Sequence, residues 1–66
     1  MSRGNEDAYA VRFRAGNGTI HTTIVWADGT AALFEQVQDQ GRAEILTYAR
    51  VRAQDVGKSP AEVLAA

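Results

Sequence analysis

Apolar and polar residues alternate along two neighbouring stretches of the chain, residues 9–15 and 20–26. Alternation with a period of two is typical of a strand with one buried face. Asn17-Gly18 lies between the stretches and favours a two-residue turn, whose central positions both need positive φ. With this turn, the numbers of any two residues that pair across the hairpin sum to 35, as 17 and 18 do. The predicted pairs, which place the apolar residues on one face, are Ala15 with Ile20, Phe13 with Thr22, Val11 with Ile24 and Tyr9 with Trp26.

A helix is predicted after this hairpin, over residues 31–40. Asp28 or Thr30 is expected to cap its first turn with a side-chain oxygen. Gly41 is expected to end the helix as a left-handed residue. The apolar side of the helix carries Leu33, Phe34 and Val37, and the other side carries Glu35, Gln36, Gln38, Asp39 and Gln40.

Residues 42–53 fit two interpretations, because Ile45 and Ala49 keep helical spacing while Thr47 and Tyr48 favour a strand. We predict a strand, and the helix stays open as the alternative. In the strand, one face carries Ile45, Thr47, Ala49 and Val51, and the other carries Leu46, Tyr48, Arg50 and Arg52.

A second, short helix is predicted to start at Pro60 and run to the end of the chain. Ser59 is placed to cap it, and Glu62 lies at the third helical position, as in a capping box. A helix this short needs tertiary contacts, so Val63 or Leu64 is expected to pack on the rest of the domain.

The order of these elements predicts an α+β domain with a ββαβ core and a short C-terminal helix. The sheet has three strands, is mainly antiparallel and has the order 2-1-3, with one helix packed on one face. Residues 1–66 form one domain, and residues 1–7 are expected to be disordered.

Composition and charge exclude several classes of protein. The chain has no cysteine, so a disulfide framework and a thiolate metal site are both excluded. Seven Lys and Arg residues against eight Asp and Glu residues give a net charge of −1, which favours neither nucleic acid nor membrane overall. No apolar run is long enough for a membrane span or a signal peptide, so we expect a cytoplasmic protein.

The sequence contains no recognisable catalytic constellation. His21 is the only histidine, and neither a second histidine nor a cysteine is present to act with it. Gly16-Asn17-Gly18 precedes a strand, whereas a phosphate-binding loop precedes a helix. We therefore predict a protein that is not an enzyme, with no catalytic residue, cofactor, metal site or small-molecule substrate.

Two surfaces are candidates for binding a macromolecule. An acidic, amide-rich surface could bind Arg and Lys side chains of a protein that normally holds nucleic acid. Its predicted residues are Asp28, Glu35, Gln36, Asp39 and Glu44. The alternative is a sheet face that binds nucleic acid through arginines and one aromatic ring. Its predicted residues are Arg12, Arg14, Arg50, Arg52 and Tyr48.

The second strand is predicted to lie at a sheet edge, where its backbone could accept a partner strand or a second copy of the chain. Residues 22–24 carry no charge that would prevent such pairing. Both a monomer and a homodimer are compatible with this expectation.

Residues 9–24, which read YAVRFRAGNGTIHTTI, resemble part of the small anti-CRISPR proteins carried by phages and mobile elements of Pseudomonas and related bacteria. The rest of the chain resembles them more loosely, and the similarity is greatest to inhibitors of type I systems. The resemblance implies a stoichiometric inhibitor that binds a Cas protein or effector complex. It also implies that target DNA binding or nuclease recruitment is blocked, in some members through carboxylates that imitate phosphates. These inhibitors share no motif, so no binding residue is transferred from them.

Overall fold

The chain forms a three-stranded sheet, and the computed structural model describes residues 6–65. The strands are β1 (Asp7–Arg14), β2 (Ile20–Ala27) and β3 (Glu44–Arg50). β1 lies in the centre and pairs antiparallel with both neighbours, which gives the order β2-β1-β3. The predicted α+β class and strand order are confirmed, and so is the choice of a strand for the third segment.

The turn between β1 and β2 has three residues, one more than predicted. The Ala15 N–H donates to the Thr19 carbonyl at 2.8 Å, and the Gly18 N–H donates to the Ala15 carbonyl at 2.9 Å. Gly18 has a φ of 91°, as the last residue of such a loop requires. Asn17 contributes through its side chain instead, because its Oδ1 accepts the N–H of Thr19 at 3.0 Å and also the Thr19 hydroxyl.

The extra loop residue changes the register between β1 and β2, so that paired residue numbers sum to 34 instead of 35. A shift of one residue moves every side chain of a strand to the opposite face of the sheet. The predicted pairing is therefore wrong, and Ile24 and Trp26 lie on the face opposite Tyr9. The observed pairs are Tyr9 with Val25, Val11 with Thr23, Phe13 with His21 and Arg14 with Ile20.

The first helix consists of five α-helical residues, α1 (Thr30–Phe34), that continue directly into six π-helical residues, the π segment (Glu35–Gln40). Gly29 precedes it with a φ of 92°, and no side chain caps the first turn. The predicted caps, Asp28 and Thr30, are therefore wrong. The helix itself is confirmed within one residue at its start, whereas its π-helical half was not predicted.

Gly41 ends the helix through a close approach of the backbone. Its φ is −81°, so the predicted left-handed conformation is wrong, and Arg42 takes that conformation with a φ of 54°. The Gly41 N–H donates to the Gln36 carbonyl at 2.9 Å. A Cβ at position 41 would lie 2.6 Å from the carbonyl oxygen of Val37, so a side chain does not fit there without a shift.

β3 contains an irregularity that divides its side chains differently from the prediction. Arg12 pairs with Thr47 while Phe13 pairs with Ile45, which leaves Leu46 without an opposite residue. Ile45 lies on the same face of the sheet as Phe13 and packs on the core, whereas Thr47 lies on the same face as Arg12. The predicted faces are wrong beyond this point: Thr47 and Ala49 share the face of Arg12 and Ala10, and Tyr48 and Arg50 share the face of Val11 and Tyr9.

The main core lies between the sheet and the first helix. Leu33 and Val37 of the helix contact Tyr9, Val11 and Ala27 of the strands, and all five are buried. The apolar side predicted for the helix is thus confirmed. Burial of these apolar side chains is the main favourable contribution to the stability of the fold. The core is small, because a domain of this size buries only about 60% of the surface that its unfolded chain exposes.

A second packing layer covers part of the opposite face. Helix α2 (Pro60–Ala65) contacts all three strands, and Val63 on it is buried. Ala10 is completely buried although its side chain points away from the first helix, so α2 packs on that face. The capping box is confirmed: Ser59 N–H donates to Glu62 Oε1 at 2.8 Å, and Glu62 N–H donates to Ser59 Oγ at 3.3 Å. The predicted packing of the C-terminal helix on the rest of the domain is confirmed, with Val63 as the buried residue.

The prediction that residues 1–7 are disordered can be compared with the structure only in part. Residues 1–5 lie outside the described residues, whereas Asp7 is the first residue of β1 and pairs with Ala27. Within residues 6–65, no helix has the length and apolar character that crossing a bilayer requires.

We expect Gly18→Ala to destabilise the protein by about 1 kcal/mol, because an L side chain is strained at positive φ. Gly16→Ala is the matched control: it lies in the same turn, its φ is not in that region, and a Cβ there meets no atom within 4 Å. The free energy of unfolding of both variants, measured with urea, checks this. Equal losses in the two variants would contradict the three-residue turn.

Candidate functional site

Three of the five predicted acidic-surface residues lie on or just before the first helix. Asp28 is in the turn that precedes α1, and Glu35 and Asp39 are exposed on the π segment. None of these three carboxylates forms an ion pair with another residue in the range 6–65. We call Asp28, Glu35 and Asp39 the acidic helix surface.

The other two predicted residues do not belong to this surface. Glu44 lies at the start of β3, and its Oε1 accepts a hydrogen bond from the Arg14 guanidinium at 2.9 Å. Gln36 is on the helix, but its Nε2 donates to the Trp26 carbonyl at 3.2 Å. The predicted set of five therefore separates into three unpaired carboxylates and two residues that hold the fold together.

The acidic helix surface lies in a part of the chain without lysine or arginine. Between Arg14 and Arg42 the sequence contains no basic residue except His21. Charge is therefore negative along this segment of the sequence, although the whole chain has a net charge of only −1. Charged partners sense this local field more than the net charge, because screening in salt limits its range to about 10 Å.

The arginines predicted to share one face are divided between the two faces of the sheet. Arg12 and Arg14 lie on the face covered by α2, where Arg12 Nε donates to Thr22 Oγ1 at 3.2 Å. Arg50 lies opposite Tyr9 on the face of the first helix, and Arg52 follows the end of β3. The predicted four-arginine face is therefore wrong.

The aromatic rings near these arginines pack on neighbouring rings. Tyr48 makes an edge-to-face contact with Phe34 at a centroid distance of 5.3 Å, and another with Tyr9 at 6.4 Å. His21 stacks on Phe13 at 5.4 Å, because the observed register places these two residues opposite each other. Tyr48 thus supports the core beside the first helix and does not form a stacking platform with Arg12 and Arg14.

A row of exposed apolar side chains was missed by sequence reasoning. Ile20, Ile24 and Trp26 lie on one face of β2, and their exposed fractions are 54%, 36% and 55%. Sequence alternation predicted these residues in the core, since it assumed a two-residue turn. Only the alternative three-residue loop at residues 16–18 could have predicted this apolar row.

The two edges of the sheet differ. At the β3 edge, Gln38 Oε1 accepts the N–H of Ile45 at 3.0 Å beside the irregularity at Leu46. At the β2 edge, Gln36 Nε2 donates to the Trp26 carbonyl at 3.2 Å. No described strand pairs with this outer side of β2. The β2 edge therefore leaves most of its backbone groups available for a partner.

An open groove of about 340 Å³ lies between the first helix and β2. Its walls are mostly apolar and are formed by Phe13, Thr23, Val25, Gln36, Val37, Gly41 and Ala43. Among residues 6–65, no three His, Cys, Asp or Glu side chains come together as a possible metal site. The groove thus offers apolar contact but no concentration of titratable groups.

Asp55 is a buried acidic residue that sequence reasoning also missed. Its carboxylate accepts the Arg52 N–H at 3.0 Å and the Lys58 ammonium at 3.3 Å, within the loop between β3 and α2. The hydrogen bond from the Arg52 backbone, followed by the bond and charge of Lys58, holds the pKa of Asp55 below its ordinary value of 3.8. These contacts fix the loop that leads into α2.

No protein-family model, curated protein or solved structure matches this chain. The function must therefore be inferred from the chain's own surfaces, such as the acidic helix surface and the apolar row of β2.

We expect the stabilising effect of Asp55 to depend on pH. Because its pKa is lower in the folded chain than in the unfolded chain, Asp55 stabilises the fold above pH 3.8, and this stabilisation is lost as the pH falls through the folded-state pKa. Asp55→Asn should therefore be less stable than the wild type at neutral pH, and the difference should shrink in acid. Urea unfolding across this range measures it.

Asp28→Asn is the control for this experiment, because Asp28 is an exposed carboxylate outside the loop. Its effect on the free energy of unfolding should be small at every pH. A difference between Asp55→Asn and the wild type that stays constant from neutral pH into acid would contradict the role given to Asp55.

Proposed function

We propose that this chain is a non-catalytic inhibitor that binds a Cas protein of a type I CRISPR-Cas effector complex in the bacterial cytoplasm. The observation that carries the proposal is the acidic helix surface, where Asp28, Glu35 and Asp39 are exposed without an ion pair in residues 6–65. The resemblance of residues 9–24 to small anti-CRISPR proteins supports the identity of the partner.

The proposed mechanism is competition for positively charged side chains. A Cas subunit holds target DNA with Arg and Lys residues, and an exposed carboxylate can accept the same charge-assisted hydrogen bonds as a phosphate. Glu35 and Asp39 need not give up an internal ion pair to do so, unlike Glu44, which already binds Arg14. Occupation of these side chains would block target DNA binding or the recruitment of the nuclease.

Nucleic-acid binding by the chain itself is the alternative. It required four arginines and Tyr48 on one face, whereas Arg12 and Arg14 lie on one face and Tyr48 and Arg50 lie on the other. Arg14 is also occupied by Glu44. These contacts favour the inhibitor over the nucleic-acid binder.

Two measurements distinguish these functions. The inhibitor should co-elute with a purified type I effector complex in gel filtration and reduce the complex's binding to target DNA. It should not shift free DNA or RNA in a gel at low salt. A nucleic-acid binder should shift free DNA or RNA at low salt and lose it steeply as salt is raised. Binding to nucleic acid without binding to any effector complex would overturn the proposal.

Charge reversal tests the acidic helix surface directly. We expect Glu35→Lys with Asp39→Lys to weaken binding to the effector complex by at least about tenfold, because two attractive contacts become repulsive. Since both side chains are exposed, the circular dichroism spectrum should not change. Isothermal titration calorimetry measures the affinity, and the neutral pair Glu35→Gln with Asp39→Asn should give a smaller loss.

The control for this experiment reverses charge on the opposite face. Arg12→Glu with Arg14→Glu changes the same number of charges but should reduce the affinity less. If this pair costs as much as the acidic pair, or if only this pair weakens binding, the acidic helix surface is not the contact.

A further inference from the structure

The hydrogen bonds of the hairpin determine which backbone groups of β2 point outward. Because the Ala15 N–H donates to the Thr19 carbonyl, these two residues form a hydrogen-bonded pair. Such pairs alternate along an antiparallel ladder, so the odd-numbered residues of β2 direct their N–H and C=O groups to β1. The even-numbered residues, from Ile20 to Trp26, direct theirs to the open edge. The bond from Gln36 to the Trp26 carbonyl agrees with this assignment.

Apart from the Gln36 side chain at the Trp26 carbonyl, β2 has none of the features that normally prevent pairing at a sheet edge. Its sequence, IHTTIVWA, contains no Lys, Arg, Asp, Glu, Pro or Gly. The β3 edge, by contrast, carries Glu44 and Arg50, the irregularity at Leu46 and the hydrogen bond that the Ile45 N–H donates to Gln38. Charges and bulges are the usual protection of edge strands, so this chain protects one edge and leaves the other able to pair.

The sequence of β2 is also complementary to itself in one antiparallel register. A two-fold axis at Thr23 pairs each residue of one copy with the residue of the other copy that brings the sum of their numbers to 46. Even-numbered residues therefore pair with even-numbered residues. Both copies then present their outward N–H and C=O groups to each other. The resulting pairs are Ile20 with Trp26, His21 with Val25, Thr22 with Ile24 and Thr23 with Thr23.

We propose that two copies of this chain pair through their β2 strands about this axis and form one six-stranded sheet. The exposed apolar row then becomes an interface, because each Trp26 packs against Ile20 of the other copy and each Ile24 packs against Thr22. No charged side chain lies in the paired segment, and Asp28 falls opposite Gly18 of the other copy, so no like charges meet. This inference does not depend on the proposed inhibitory function.

A second copy fits this edge better than an unrelated strand for a specific reason. In the register about Thr23, Ile20 of each copy meets Trp26 of the other copy, so this apolar contact forms twice. An isologous interface doubles its contacts in this way, because residue i of one copy meets residue j of the other and the reverse. The strand pair is a small interface, below about 1,200 Å² in total, so the dimer should dissociate on dilution.

Sedimentation equilibrium over a range of concentrations tests the dimer in the absence of any other protein. The mass should rise from 7.1 kDa towards twice that value as the concentration increases. A single mass of 7.1 kDa at every concentration up to the millimolar range would overturn the proposal. In that case the β2 edge would still be open to a strand of another protein. Binding to the effector complex is measured separately, so this result would not decide the proposed inhibitory function.

Ile24→Lys locates the interface, because it places two ammonium groups diagonally across the axis. We expect it to weaken dimerisation by at least about tenfold, which corresponds to 1.4 kcal/mol. Val56→Lys is the matched control, since Val56 is an apolar residue that is 80% exposed in the loop before α2. Circular dichroism verifies that both variants fold. Loss of the dimer in Val56→Lys but not in Ile24→Lys would overturn the proposed interface.

Hydrogen exchange on the unmodified chain tests the register even if Ile24→Lys fails to fold. The amides of Thr22 and Ile24 point to the open edge, so their protection should increase with protein concentration. The amides of Thr23 and Val25 bond to β1 and should be protected at every concentration. A dimer in which the Thr22 and Ile24 amides exchange as fast as in the dilute monomer would contradict pairing through β2.

Discussion

The length of the turn between β1 and β2 determines the face on which each side chain of β2 lies. Because Ala15 and Thr19 close a three-residue loop, Phe13 meets His21, and Val11 meets Thr23. The same register places Val25 and Ala27 towards the first helix and leaves Ile24 and Trp26 on the other face. The residues that β2 contributes to the core and the exposed apolar row both depend on this local backbone geometry.

Packing on both faces of a three-stranded sheet explains how so short a chain distributes its surfaces. The first helix uses large side chains on its own face of the sheet, including Leu33, whereas α2 is short and packs where β1 presents the small side chain of Ala10. A six-residue helix covers only part of that face, so the apolar row of β2 stays exposed beside it. Charge and apolar surface are thereby separated, with the unpaired carboxylates on the first helix and the apolar row on the opposite side of the sheet.

The parts of the fold that depend on strong local signals could be predicted from the sequence. The capping box at Ser59 and Glu62, the apolar side of the first helix and the strand order are all confirmed. The register could not be predicted, because Gly16-Asn17-Gly18 fits a two-residue and a three-residue turn equally well. The choice between them depends on tertiary burial: Tyr9, Val11 and Phe13 face the first helix in either case, and only the partners from β2 change.

The candidate sites could be predicted only where they depended on helical spacing. Glu35 and Asp39 were predictable because their exposure follows from helical spacing alone. The four-arginine face failed because it combined residues from two strands whose relative faces change at Leu46, an irregularity with no sequence signal. Asp55 could not be recognised in advance, since its partners are a backbone N–H and the Lys58 side chain in an irregular loop.

The two glutamine side chains that join the first helix to the sheet have opposite chemical roles. Gln36 donates from its Nε2 to a carbonyl of β2, and Gln38 accepts at its Oε1 from an N–H of β3. Slow deamidation, which converts glutamine to glutamate, would therefore affect the two edges differently. At Gln38 the acceptor oxygen is kept, whereas at Gln36 the donor is replaced by a carboxylate that faces the Trp26 carbonyl and repels it. Of the two glutamine contacts, deamidation would accordingly loosen only the one where the helix meets β2.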